Sequence, residues 1–261
     1  MFNRTKEKAM KKRLLASCIL SSSIALSSQV VAHTEHSGGI QAPKFDESST
    51  THASFDIIHG KISTEGNVAT FHLAVAGEAG SNKPLATGKL PGSSVYSYVW
   101  PTSLDPSAVG FEEKAGILAL AVTAHPDFDD TPLYDENNDG VLSNDGSEWH
   151  SHWIVLAPTE QCGPGALAVV DIPKGAQPKL PKTWPGLPIL LDSPGWNPTF
   201  HGNHLEVKVP FADISDLETI NYDAVTAALR VNQSVHAPLL CVTDVQDIAS
   251  GDLSLPGKVN Q

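Results

Sequence analysis

The sequence predicts an all-β fold, a β-sandwich-like single domain with long irregular loops. Short apolar runs recur with period two along most of the chain. Turn residues separate these runs, 20 glycines and 19 prolines in 261 residues. Neither an internal repeat nor a second zone of composition divides the chain, so one domain is expected.

The N-terminus has the layout of a secretory signal peptide over residues 1–32. Lys11, Lys12 and Arg13 precede a mostly apolar, small-residue stretch from Leu14 to Leu26, and Val-Val-Ala precedes His33. Ser21, Ser22, Ser23, Ser27, Ser28 and Gln29 make the segment from Leu14 to Ala32 too polar for a span of about 20 apolar residues. Cleavage after Ala32 removes six basic residues and one acidic one. That leaves 11 basic against 28 acidic side chains, a net charge of −17. Such a chain is a poor partner for nucleic acid, which needs Lys and Arg, and suits cations. No later segment is apolar enough to span a membrane, so no stable membrane insertion is expected. The expected location is the periplasm, the cell surface or the medium.

Residues 33–52 read as a flexible polar arm and residues 53–261 as the β domain. Strands are expected at NVATFHLAVAG, SVYSYVW, GILALAVTA, EWHSHWIVLA, ALAVVDI, LPILL, HLEVKVPF, AVTAALRVN and LLCVTDV. GILALAVTA is apolar enough to be buried on both faces. AVTAALR has helical propensity, but Val225, Ala227, Leu229 and Val231 alternate, which favours a strand. ISDLETI reads as a short helix or a loop, and Leu180–Pro188 as irregular because of its prolines. Cys162 and Cys241, the two cysteines left after Cys18 departs with the signal peptide, are expected to pair in an oxidising compartment. The closed loop would stabilise the fold by at most about 4–5 kcal/mol.

Two stretches carry metal-ligand chemistry. In DENNDGVLSND, Asp135, Asn137 and Asp139 stand at positions 1, 3 and 5 with Gly140 at position 6. This is the first half of a calcium loop, with the Val141 carbonyl as a further oxygen and Asp145 as the closing carboxylate. It departs from an EF-hand at position 12, which is Gly146. Glu148 is a second closing candidate, and Asp127, Asp129 and Asp130 lie close by in sequence.

SEWHSHWIVL follows directly. In a strand, His150, His152 and Ile154 share one face, while Trp149, Ser151, Trp153 and Val155 share the other. Two imidazoles at i and i+2 lie about 6–7 Å apart at the backbone, close enough to converge on one ion. His201 and His204 in HGNH are the expected completing ligands, and His125 at the end of ILALAVTA is a further candidate. Strand parity places His201 with Leu205 and His204 with Glu206, and does not decide which of the two points inward. Imidazoles without acidic ligands suit copper or zinc. A newly exposed His33 offers an α-amine and an imidazole together, with His36 nearby, as another copper chelate. His52, His59, His72 and His236 are scattered and read as ordinary polar positions.

An acidic exported β chain with a D-x-N-x-D-G loop, a Trp/His strand and a later histidine resembles one known family. These are the surface-associated, copper-repressible copper-binding proteins of methanotrophic bacteria. The resemblance implies a copper(I) site of two histidines and a tryptophan oxidised to kynurenine, with calcium nearby. Carried over, His150 or His152 is the first histidine and His201 or His204 the second. The chain departs from the family pattern because Ser151, not a histidine, lies two residues from both Trp149 and Trp153.

No nucleophile elbow, P-loop or dinucleotide fingerprint is present in the sequence. The expected function is an exported protein whose partners are metal ions: copper or zinc on a histidine cluster, with a structural calcium loop. A secreted metalloenzyme on the same histidines, with Glu148 or Glu206 as base, is the first alternative. A calcium-stabilised surface interaction module is the second.

Overall fold

The protein is described from a computed structural model, which covers residues 38–43 and 50–261; the expected signal peptide lies outside these residues. The described chain forms β1 (Ile40–Gln41), β2 (Ile57–Glu65), β3 (Val68–Val75), β4 (Ser94–Pro101), β5 (Ile117–Ala124), β6 (His150–Pro158) and β7 (Leu167–Val169). It continues with β8 (Leu191–Asp192), β9 (Thr199–His201), β10 (His204–Pro210), β11 (Asn221–Tyr222), β12 (Val225–Val231), β13 (Leu240–Ile248) and β14 (Gly257–Lys258). The fold is all-β, as expected.

The strands build two main layers. One is a five-stranded sheet in the order β1-β2-β3-β10-β9. The other is a seven-stranded sheet in the order β5-β4-β12-β13-β7-β6-β8, in which β5 also pairs with β6. That extra pairing closes six of the seven strands into a barrel, while β8 lies beside β7 along the same edge of β6. The expected sandwich is therefore a sheet packed on a barrel. Closure removes the unpaired edges that an open sheet would leave on β5 and β6.

Alternation explains both cores. Val95, Val99, Ala119, Ala121, Ile154 and Leu229 face into the barrel with other apolar residues of β6, β7, β12 and β13. Their neighbours Tyr98, Trp100, Leu118, Leu120, Trp153 and Val155 face outward, against Phe71, Leu73, Leu205 and Val207 of the five-stranded sheet. Phe71 meets Trp100 and Trp153 edge-on at 5.9 and 5.8 Å, a favoured aromatic geometry. β5 is the strand buried on both faces, because one face lines the barrel and the other the interlayer core.

Several expectations sharpen. AVTAALR is strand β12, ISDLETI contains a 3-10 turn at Leu217–Thr219, and Leu180–Pro188 carries no strand. β2 was not expected, because its outward positions are polar and Gly60 interrupts its apolar face. Within the expected polar arm, Ile40–Gln41 pairs with β2, since Ile40 has a buried place to occupy. Cys162 and Cys241 form the expected disulfide, with Cα atoms 5.6 Å apart.

Candidate metal centre

The site lies at one end of the barrel. β6 runs antiparallel to β5, with His152 opposite Ala121 and His150 opposite Thr123. Parity puts His150, His152 and Ile154 on one face and Trp153 on the other, as the sequence predicts, and the structure turns the histidine face into the barrel. β5 ends at Ala124, so His125 sits at the rim. Residues 126–149 then cross the barrel end and return to β6.

The crossing loop is fixed at its base. The His125 N–H donates to the Gly146 carbonyl at 2.6 Å, and the Asp145 N–H donates to Asp129 Oδ2 at 2.8 Å. Asp129 Oδ1 also accepts the Thr131 N–H at 2.8 Å. A Cβ at position 146 would overlap the Phe128 carbonyl oxygen, so glycine is required there. With Asp129 tied outward, Asp130 turns into the barrel, and the Ser193 hydroxyl donates to its carbonyl at 2.7 Å.

Four side chains then meet: His125, Asp130, His150 and His152, all buried, with one ligand atom from each within 4.8 Å of all the others. Asp130 Oδ1 lies 3.2 Å from His125 Nε2, 3.2 Å from His150 Nε2 and 3.4 Å from His152 Nε2. His125 Nε2 and His150 Nε2 are 2.9 Å apart. A tetrahedron of ligands at about 2.0–2.1 Å from zinc has edges of roughly 3.3–3.4 Å. A square plane would hold one imidazole opposite Asp130 at about 4 Å, a separation that none of the three contacts reaches.

The outer nitrogens decide which ring atoms face the centre. His125 Nδ1 meets the Phe128 carbonyl at 2.9 Å, His150 Nδ1 the Glu148 carbonyl at 2.8 Å, and His152 Nδ1 the Asp192 carbonyl at 3.3 Å. A carbonyl can only accept, so each Nδ1 carries the hydrogen. Each neutral ring therefore presents a bare Nε2, which is how second partners prepare histidines for a metal. Phe128 also stacks on His125 with centroids 4.0 Å apart, fixing that ring. Three bare nitrogens and a carboxylate are four acceptors facing one another. Asp130 Oδ1 and His152 Nε2 are buried with no hydrogen-bond partner in proper geometry. The Thr123 hydroxyl, 3.2 Å from His150 Nε2, is the nearby donor.

The charges are coupled. Burial pushes the Asp130 carboxyl up, but His152 and His125 outweigh it and hold the group well below the ordinary carboxylate range. Burial pulls the His125 imidazole down, and Asp130 outweighs that, leaving it above its ordinary value. Burial, assisted by the charges of His125 and His152 against the pull of Asp130, drives His150 down to about 4. Positive charge is thus favoured at the centre of the group, and Asp130 is its counter-ion.

The other expected residues fall elsewhere. His201 and His204 belong to β9 and β10 of the five-stranded sheet and do not join this group. They pair in register across the two-residue turn Gly202–Asn203 and so share a face; the turn reverses the parity that a continuous strand would have. Glu148 is paired with Lys83 at 3.4 Å, and Glu206 lies on β10. Asp127 accepts the N–H groups of Thr87 and Gly88 at 2.8 and 2.6 Å.

In the acidic loop, Asp135 and Asn137 accept the Asp139 N–H at 3.0 and 2.8 Å, and Asp139 accepts the Val141 N–H at 2.8 Å. Val141 is exposed, while Asp145 is fully buried at the loop base and accepts the Glu136 N–H at 3.2 Å. Asp130 is the member of the group that sequence reasoning did not single out. Its signal was only its place among three aspartates next to His125.

A cavity of about 20 Å³ adjoins the group inside the barrel, lined by Ala121, Ile154, Val169, Leu229, Asp130 and His152 among others. It has room for about one water. No family model, curated protein or solved structure matches the chain.

Proposed function

We propose that this protein is an exported metal-binding protein that holds one divalent transition ion on His125, Asp130, His150 and His152. One observation carries the reading: three imidazoles with their Nδ1 hydrogens committed to backbone carbonyls aim their Nε2 atoms, with one carboxylate oxygen, at a common point. The nitrogen-rich set with one hard oxygen suits Zn²⁺ first and Cu²⁺ second. Four protein ligands complete a closed centre, and the adjoining space is too small for a substrate. Both features favour holding the ion over catalysis. Export is supported by the signal-type N-terminus and by a disulfide, which persists in oxidising compartments.

The test is titration of the metal-free protein, purified without an affinity tag, with Co²⁺ and Zn²⁺. One Co²⁺ should bind with the intense visible absorption of a tetrahedral ion, and Zn²⁺ should displace it. The double substitution His150→Ala/His152→Ala should abolish that spectrum. An unchanged spectrum in the double variant would sink the reading.

Calcium on the Asp135–Asp145 loop is the second part of the proposal. Its support is the D-x-N-x-D-G order together with buried, unpartnered oxygens on Glu136 and Asp145. Burial first, then the charges of Asp129 and Asp145, raise the Glu136 carboxyl against the pull of Thr131, and a bound cation would relieve that repulsion. Calcium should raise the melting temperature of wild type and leave that of Asp139→Ala unmoved. Equal shifts in the two proteins would remove calcium from this loop.

A further inference from the structure

Trp153 follows His152 on β6 and points the other way, out of the barrel into the interlayer core. It is 1% exposed, and its ring meets Phe211 and Trp196 edge-on at 6.2 and 6.3 Å. The indole N–H groups of Trp100, Trp149 and Trp184 each donate to a backbone carbonyl, those of His72, Gly80 and Ile189. The N–H of Trp153 is buried and has no acceptor among the described residues. A buried indole N–H ordinarily finds one, so this donor calls for a partner.

Asp192 stands directly opposite Trp153 in the β6–β8 register, so the two side chains lie on the same face. Asp192 is also buried, and its Oδ1 accepts from the Thr183 hydroxyl at 2.8 Å and not from the indole. A donor and an acceptor therefore stand side by side without satisfying one another. Both line a cavity of about 460 Å³ on the outer side of the barrel wall, closed in by Trp196, Phe211, Leu180 and Val109. Small-molecule sites span about 300–1,000 Å³. Lys179 and Lys182, both exposed, line it as well, in a chain whose acidic side chains outnumber the basic ones by 29 to 17.

We infer that this cavity is a binding site for a small ring acid that bears a hydroxyl group. A hydroxyl both donates and accepts, so one such group takes the Trp153 N–H and gives its own hydrogen to Asp192. The ring packs against the aromatic and apolar walls, and the carboxylate meets the two lysine ammonium groups. The site lies across β6 from the barrel-end group, shares no residue with it and does not depend on it.

The test is calorimetric titration of the full chain with 4-hydroxybenzoate and with glucuronate, an aromatic and a sugar source of the same chemistry. At least one of the two should bind, and the one that binds names the source. Trp153→Phe keeps the ring and removes the N–H, and should weaken that binding about tenfold, the worth of one hydrogen bond. Lys179→Gln/Lys182→Gln changes only exposed side chains, and should also weaken it about tenfold, with the circular dichroism unchanged. Failure of both compounds to bind at millimolar concentration would overturn the inference. So would binding that either variant leaves unchanged, which would place the compound elsewhere on the protein.

Discussion

At the barrel end, three imidazoles are each held through Nδ1 by a backbone carbonyl and share one carboxylate. On the sheet face, His59 Nε2 lies 2.7 Å from the Gly38 carbonyl and His72 Nε2 lies 3.0 Å from His204 Nδ1, but among the described residues these rings do not gather with a carboxylate into one ligand set. The residue type is the same in both places, and the difference lies in what orients the rings. A donor fixed before the ion arrives loses little freedom on binding, and a carboxylate supplies opposite charge. The barrel-end group should therefore be the one that takes the ion.

Removing the charge should have the largest effect. Asp130→Ala takes away the one anion of the barrel-end group and should lower Zn²⁺ affinity by more than the roughly 10–100-fold typical of outer-shell changes. Competition against a chelator of known affinity would measure it. An Asp130→Ala protein that binds as tightly as wild type would make the two groups equivalent and end the comparison.

Next is the scaffold behind the rings. Gly146→Ala forces a Cβ against the Phe128 carbonyl, the group that orients His125. We expect a loss of about 10–100-fold in barrel-end affinity with the circular dichroism unchanged. A collapse of the circular dichroism would show general unfolding and not local misorientation.

Acid sharpens the same contrast. In the metal-free protein His150 titrates at about 4, against roughly 6.5 in an unfolded chain. Between those values the unfolded chain binds more protons, so this contribution to stability is complete above about pH 6.5 and is lost as the pH falls toward 4. His125, raised by Asp130, acts in the opposite sense: its contribution is present at low pH and is lost as the pH rises through its raised value. The urea midpoint of the metal-free protein should fall on acidification, and His150→Gln should flatten that fall. Superimposable pH curves for the two proteins would contradict the electrostatic account of the centre.

Much of this was legible in the sequence, and the limits are physical. Period two located nine strands and put His150 and His152 on one face, opposite Trp149 and Trp153, because alternation is a local property. Barrel closure was not legible, since the β5–β6 pairing joins segments separated by a long loop that any topology could accommodate. Asp130 was hidden for a related reason. In HPDFDD, three aspartates are equivalent on paper, and only the bonds that commit Asp127 to Thr87 and Asp129 to Thr131 and Asp145 leave Asp130 to turn inward. His201 and His204 fall outside the group because β9 and β10 belong to the five-stranded sheet, and no local pattern in HGNH says which sheet a strand joins.

The smallest effect on metal binding should come from the disulfide. Cys162→Ala/Cys241→Ala should cost about 2–5 kcal/mol of stability, read from denaturant unfolding. Metal affinity should be kept, because the bridge ties the β6–β7 connection to β13 and involves none of the four residues of the barrel-end group. A large drop in affinity would show that the bridge, and not the loop over the barrel end, sets the ligand geometry.

The most direct measurement is an anomalous-scattering map at the zinc edge from crystals of the metal-loaded protein. The account predicts its strongest peak inside the barrel end, about 2.0–2.1 Å from Nε2 of His125, His150 and His152 and from an Asp130 carboxylate oxygen. A map with no peak there, or with its strongest peak at His72 and His204, would contradict it.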